Sequence, residues 1–169
     1  NRLHDDSFNT ALTNDLWTEI SKAKYGFIVP GTSTYVTIGS SGGHASGIDY
    51  KITQSNGHLC GGPCSIDYKD NYNYIWFWDA NDLIKVKNGL LQPHNVKPYS
   101  YGKFDTPFQS TPNGYSLIVG ADYDKQSGRL YILLEGADRE QNIYEAAPVM
   151  LVYNITTRRP DAPEGIDVE

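Results

Sequence analysis

The sequence predicts an all-β fold of antiparallel strands. Short β-branched and aromatic runs alternate with clusters of glycine, proline and asparagine, the punctuation of strands and tight turns. Apolar periodicity of the helical kind is nearly missing over windows of helix length. Composition agrees: the 169 residues include 16 glycines and 9 prolines, about 15% of the chain where average usage is roughly 12%.

Along the chain, Leu12, Leu16 and Ile20 keep an i, i+4 spacing that Thr13 or Asn14 would cap. Residues 25–30 then read as extended, so a short helix and a strand stand equally open for the segment before them. Clear strand-length runs follow at 34–39, 72–79, 116–123, 129–135 and 149–155. Residues 81–89 open on Asn81-Asp82 and close on Asn88-Gly89, which predicts one or two helical turns. Asp124-Lys125-Gln126-Ser127-Gly128 is a compact hairpin connection, with Gly128 free to take a positive φ. The strands fall into two similar units, 35–38, 75–78 and 96–101 in the first, then 117–121, 130–134 and 150–154 in the second. We expect one β domain over 1–155 and a polar C-terminal linker over 156–169.

Charge and length exclude several functions. With 14 basic and 20 acidic residues the formal net charge is −6, and no basic face exists to displace counterions from nucleic-acid phosphate. No apolar run approaches the roughly 20 residues a membrane helix needs. Aromatics at 12% argue for a packed core rather than disorder. The one methionine is Met150 and the chain begins at Asn1. That predicts a processed chain or a piece of a longer one, and fits a protein that has lost a signal peptide. We therefore expect a secreted protein, extracellular or periplasmic.

Val119-Gly120-Ala121-Asp122-Tyr123-Asp124, then Gly128-Arg129-Leu130-Tyr131, then Pro148-Val149-Met150-Leu151-Val152-Tyr153 resembles a β-propeller blade. Trp76-Phe77-Trp78-Asp79-Ala80-Asn81-Asp82-Leu83, with Lys87-Asn88-Gly89 and Val96-Lys97-Pro98-Tyr99, is similar to a segment of uncharacterised secreted bacterial propeller-like proteins. The resemblance covers about residues 30–155 and implies architecture, not activity. A blade takes about 40–45 residues, so the chain holds at most about four and its strands suggest two to three. The expected fold is thus a set of propeller-like blades, partial or completed by another chain or by further copies of this one. A small β-sandwich is the alternative.

Several motifs bear on chemistry. Cys60-Gly61-Gly62-Pro63-Cys64 is most simply a disulfide pinning a loop in an exported protein. The competing reading is zinc, with His58 and with His44 or Asp67 nearby, although structural zinc sites favour other spacings. Gly39-Ser40-Ser41-Gly42-Gly43 matches the G-x-S-x-G pattern, with His94 and aspartates downstream. A nucleophile elbow needs a helix after the serine, and the following residues do not supply one, so a glycine-serine loop is expected. Asp122 and Asp124 begin a calcium-like loop, but its twelfth position is Leu133 rather than glutamate. They remain the candidate Ca2+ ligands, with Asp67, Asp70, Asn71 and Asn73 as a second cluster. Asn154-Ile155-Thr156 is a formal glycosylation sequon.

The aromatic inventory is the best functional lead. Tyr72, Tyr74, Trp76 and Trp78 share one parity and project to one face of a strand, with Ile75 and Phe77 opposite. Such a row is either a sheet–sheet core or a stacking platform for sugar rings. As a platform it would take His44 and Asp49 as polar partners. The expected function is recognition of a carbohydrate or other extracellular ligand without catalysis by this chain alone. Two alternatives stand beside it. One is a polysaccharide-degrading enzyme, its site shared with missing blades, using His44 or His58 with Tyr50 beside a basic group such as Lys51 or Arg129. The other is a structural, self-assembling module.

Overall fold

The computed structural model describes residues 5–108, 110–111, 114–140 and 144–155. The expected linker 156–169 and the sequon residue Thr156 lie outside the described residues.

The all-β expectation holds, and every strand pair is antiparallel. β1 (Lys22–Ile28) pairs with β2 (Thr34–Gly42), and β2 pairs with the distant β5 (Asn71–Asp79). Between β2 and β5 the chain makes an excursion that contains the short ribbon of β3 (Ile48–Tyr50) and β4 (Pro63–Ser65). β6 (Ser100–Lys103) closes the four-stranded sheet on the far side of β5. After a two-residue ribbon of β7 (Ser110–Thr111) and β8 (Gly114–Tyr115), the chain forms a second sheet. Its strands are β9 (Ile118–Asp124), β10 (Arg129–Asp138) and β11 (Ala147–Asn154), with β10 in the middle. Neither sheet closes on itself.

The predicted helix is present as α1 (Ala80–Lys87). Asp79 caps it by accepting from the Asn81 amide at 2.9 Å, and Gly89 ends it with φ of 71°. The strand expected at 96–101 starts later: a 3-10 turn at Pro93–Asn95 and Pro98 delay it, and only Ser100–Lys103 pairs. Residues 12–20 are neither helix nor strand. Asn9 and Leu12 sit at positive φ, and the Asn14 carboxamide accepts from the Leu16 and Trp17 amides at 3.1 and 3.2 Å. These side-chain bonds compete with the backbone ladder a helix would need.

The two sheets share one core. Phe27, Val36 and Ile38 of the first pack with Ile118, Tyr123, Leu130, Ile132 and Leu134 of the second, and Ile75 and Phe77 join them. The unbroken β2–β5 register sets this face, because residues two apart on a strand point the same way. Asn73 stitches the sheets together from the same side of β5. Its amide donates to Thr106 Oγ1 at 2.9 Å and the Ser116 carbonyl at 3.1 Å, and its carbonyl accepts from the Ile118 amide at 2.8 Å. Buried at 1% exposure, it satisfies its polar atoms through strands on both sides.

Candidate functional site

Tyr72, Tyr74, Trp76 and Trp78 do share one face, and it is the face turned away from the sheet–sheet core. Residues 15–18 of the N-terminal segment roof its middle. Trp76 Nε1 donates to the Leu16 carbonyl at 2.8 Å, the Tyr74 hydroxyl donates to the Asp15 carbonyl at 2.5 Å, and Trp17 packs on Trp76 at 4.9 Å. Tyr74 is 4% exposed and Trp76 fully buried. The expected row of four open rings is therefore corrected: its two central members hold the N-terminal segment down and present no free face. Burial and the Asp15 charge push the Tyr74 hydroxyl up, so it stays protonated as a donor. The two outer rings are half-buried. Lys103 Nζ stands 3.6 Å over the Tyr72 ring, and Trp78 Nε1 donates to Thr37 Oγ1 at 2.9 Å.

His44 belongs to the same roof. Its ring stacks on Tyr74 at 5.1 Å and on Tyr72 at 6.4 Å. Nδ1 lies 2.9 Å from the Asn14 carbonyl, which only accepts, so the neutral imidazole carries its proton there. Nε2 therefore accepts from Ser41 Oγ at 2.7 Å, and Ser41 in turn accepts from Ser21 Oγ at 2.6 Å. Both nitrogens are engaged and Ser41 is 2% exposed, so this serine–histidine pair is a buried latch rather than a nucleophile facing substrate. The loop expected at 39–43 is corrected as well, since β2 runs through Gly42 with its register intact.

The other candidates lie apart. Tyr50 is exposed with Lys51 Nζ 5.2 Å from its ring, and Asp49 Oδ1 accepts its own neighbour's amide, Tyr50 N, at 2.7 Å. His58 is exposed in the excursion, where its amide donates to Asn56 Oδ1. Among the described residues no hydrogen bond or ring contact joins His44 to Tyr50 or His58. Cys60 and Cys64 form the disulfide, which removes both from zinc ligation. Asp124 braces the predicted hairpin, accepting from the Gln126 amide at 2.8 Å and from Ser127 Oγ at 2.5 Å. Those bonds hold its carboxyl below the ordinary range. Asp122 Oδ1 accepts from the Tyr25 hydroxyl at 3.3 Å. Asp67 and Asp70 likewise accept from local amides and hydroxyls, while Asn73 faces the core. Among the described residues no three His, Cys, Asp or Glu side chains converge to hold a metal ion. No described helix is long and apolar enough to cross a membrane.

A groove of about 720 Å³ wraps the free edge of β1, and sequence reasoning did not point to it. Tyr25, Phe27, Tyr35 and Tyr123 give it aromatic walls, Leu83 of α1 closes one side, and Lys125 stands at its rim from the β9–β10 hairpin. Tyr35 lies against Gly26, where a Cβ would collide with the tyrosine hydroxyl and ring. The bare backbone at Gly26 is what admits the ring. Tyr25 is fixed by its hydroxyl, which accepts from the Tyr123 amide at 2.8 Å while donating to Asp122. Phe27 stacks on Tyr123 at 4.7 Å beneath them. A smaller cavity of about 330 Å³ near Ser40 and Cys64 contains Glu19 and Lys22 but no aromatic ring. The only sequence signal for the larger groove was Tyr25-Gly26-Phe27, a glycine between two aromatics in an extended segment.

The chain matches no protein-family model, no curated protein and no solved structure.

Proposed function

We propose that this β domain recognises a saccharide, without catalysis of its own, in the groove along the edge of β1. One observation carries the reading: an aromatic-walled groove of about 720 Å³ whose half-buried Tyr25 and Tyr35 line it beside, among the described residues, a single charged group, Lys125. Binding sites of this size are mostly apolar with a few fixed polar groups. Tyrosine rings offer flat surfaces to the apolar faces of pyranoses, and their hydroxyls serve as hydrogen-bond partners. Tyr25 is already held in place by Asp122 and Tyr123, so little ordering cost falls on binding. The disulfide supports an oxidising, extracellular setting for this role. We read the two sheets as two blade-like units. With the β3–β4 ribbon counted as an insertion, strand order in the first sheet follows chain order, the up-and-down connectivity of a propeller blade.

The test is calorimetric titration of the intact chain with neutral and acidic tetrasaccharides, repeated with Tyr35→Ala. Binding by at least one sugar, weakened about tenfold or more by the substitution, is expected. If no sugar binds, or Tyr35→Ala changes nothing, the reading fails.

A second reading, self-assembly, has its own observation. On the outer face of the second sheet Met150 is 61% and Val152 53% exposed, beside half-buried Tyr131 and Leu133. A sheet apolar on both faces normally has both faces covered. Light scattering separates the cases: a monomer mass near 18.9 kDa rejects assembly, and a defined oligomer supports it.

A further inference from the structure

We infer that the sugar taken by the β1 groove is acidic, its charge carried by a carboxylate or a sulfate ester. The inference rests on the saccharide reading above and narrows it. Among the described residues Lys125 is the only charged side chain that lines the groove. It sits in the hairpin turn that Asp124 holds in shape through Gln126 and Ser127, so its backbone is fixed. The nearby carboxylates already accept hydrogen bonds. Asp124 accepts from the turn, and Asp122 accepts from the Tyr25 hydroxyl. Lys125 forms no salt bridge with any described residue.

The surroundings add to this. β1 continues from the groove into Lys24 and Lys22, both exposed and likewise outside any salt bridge among the described residues. Lys22, Lys24 and Lys125 thus place three cations along this edge, beside the Asp122 and Asp124 carboxylates of β9. An anionic group at the rim would meet the Lys125 ammonium in a charge-assisted hydrogen bond while the sugar chain follows the groove around the β1 edge, from Tyr25 on the core-side face to Tyr35 on the other. A longer acidic chain would run on toward Lys24.

The experiment compares three probes on the intact protein: tetragalacturonate, its full methyl ester, and a sulfated galactan tetrasaccharide. The ester keeps the ring and removes the charge. We expect at least one anionic probe to bind about tenfold or more tightly than the ester, with the advantage shrinking as salt rises. Lys125→Gln should lower that affinity to the level of the ester. Whichever anion shows the Lys125-dependent advantage identifies the source of the charge. Equal binding of acid and ester, or an advantage that survives Lys125→Gln, overturns the acidic assignment while the saccharide reading stands. Absence of binding by all three, together with the neutral sugars, overturns both. Lys125 is exposed in a surface turn, so its substitution leaves the fold intact, and the thermal midpoint verifies this.

Discussion

Ser41 Oγ lies 2.7 Å from His44 Nε2, and both side chains sit where the N-terminal segment meets the outer face of the first sheet. The pair orders a chain of donors: the Thr18 amide donates to Ser21, Ser21 to Ser41, and Ser41 to His44. A protonated imidazole has two donors and no acceptor, so Ser41 would lose its partner and the chain would have to reverse.

Acid therefore weakens the fold through this residue. Burial disfavours the imidazolium and holds His44 below its ordinary value, outweighing the opposing pull of the Asn14 carbonyl, Asp70 and Asp15; Lys103 lowers it further. The unfolded chain binds the proton first, starting near the unperturbed value of about 6.5. Stability is full above that pH, falls as pH drops below it, and stops falling through this group once the folded imidazole is charged. Urea midpoints measured from about pH 7.5 down to about pH 5 should decline in the native protein. The part due to His44 should vanish in His44→Gln.

The roof also predicts a local effect. Trp76→Phe keeps most of the ring but leaves the Leu16 carbonyl without its donor, a loss of about 1–3 kcal/mol. Because that bond joins the N-terminal segment to the sheet, limited proteolysis should cut within residues 5–21 sooner than in the parent. The sheet core, on the opposite face of β5 from the Trp76 ring, should stay protected. Cleavage spread evenly over the chain would show instead that segment and sheet open together.

The reach of the sequence can be judged from these same residues. Strand parity needs only a period of two, so the split of Tyr72, Tyr74, Trp76 and Trp78 from Ile75 and Phe77 is written in the letters. What covers a face is not a periodic property. The roof depends on Asn9 and Asn14, whose carboxamides tie residues 6–17 to one another and to the Gly43 and His44 carbonyls. Those residues carry an i, i+4 apolar spacing as well, and side-chain hydrogen bonding overrides it. Likewise the Asp122–Asp124 pair reads as two free carboxylates until the Tyr25 hydroxyl and the Gln126 and Ser127 donors are seen to occupy them. The groove was hidden because it joins Tyr35 to Gly26 across two strands, a contact set by register.

Gly26 gives the sharpest separation of binding from stability. An added Cβ meets only the far end of Tyr35, a flexible side chain. Gly26→Ala should therefore move Tyr35 from the groove wall and weaken sugar binding about tenfold, with stability changed by no more than about 1 kcal/mol. Gly39 is the contrast. Its Cβ would strike the Lys22 carbonyl and approach the Lys24 amide to 2.9 Å, backbone that cannot turn aside. Gly39→Ala should part β1 from β2 and lower the thermal midpoint outright. Equal destabilisation by the two substitutions would contradict the placement of Tyr35.

Asp70 connects the excursion to the latch. At 3% exposure its Oδ2 accepts from the Ala45 amide at 2.9 Å, the Ser46 amide at 2.7 Å and the Ser46 hydroxyl at 2.8 Å, while Oδ1 is buried without a hydrogen-bond partner among the described residues. Asp70→Ala strands all three donors and should cost about 3 kcal/mol or more. Asp70→Asn keeps an acceptor for them and removes a buried charge, so it should cost about 1 kcal/mol or less. The asparagine variant has a second consequence. Asp70 is one of the charges that raise the His44 value, so its removal leaves the folded imidazole harder to protonate. The acid-induced loss of stability should then begin at the same pH, fixed by the unfolded chain, but continue to lower pH than in the parent. A histidine titration followed by NMR reads that displacement directly, and an unmoved His44 would remove Asp70 from the latch.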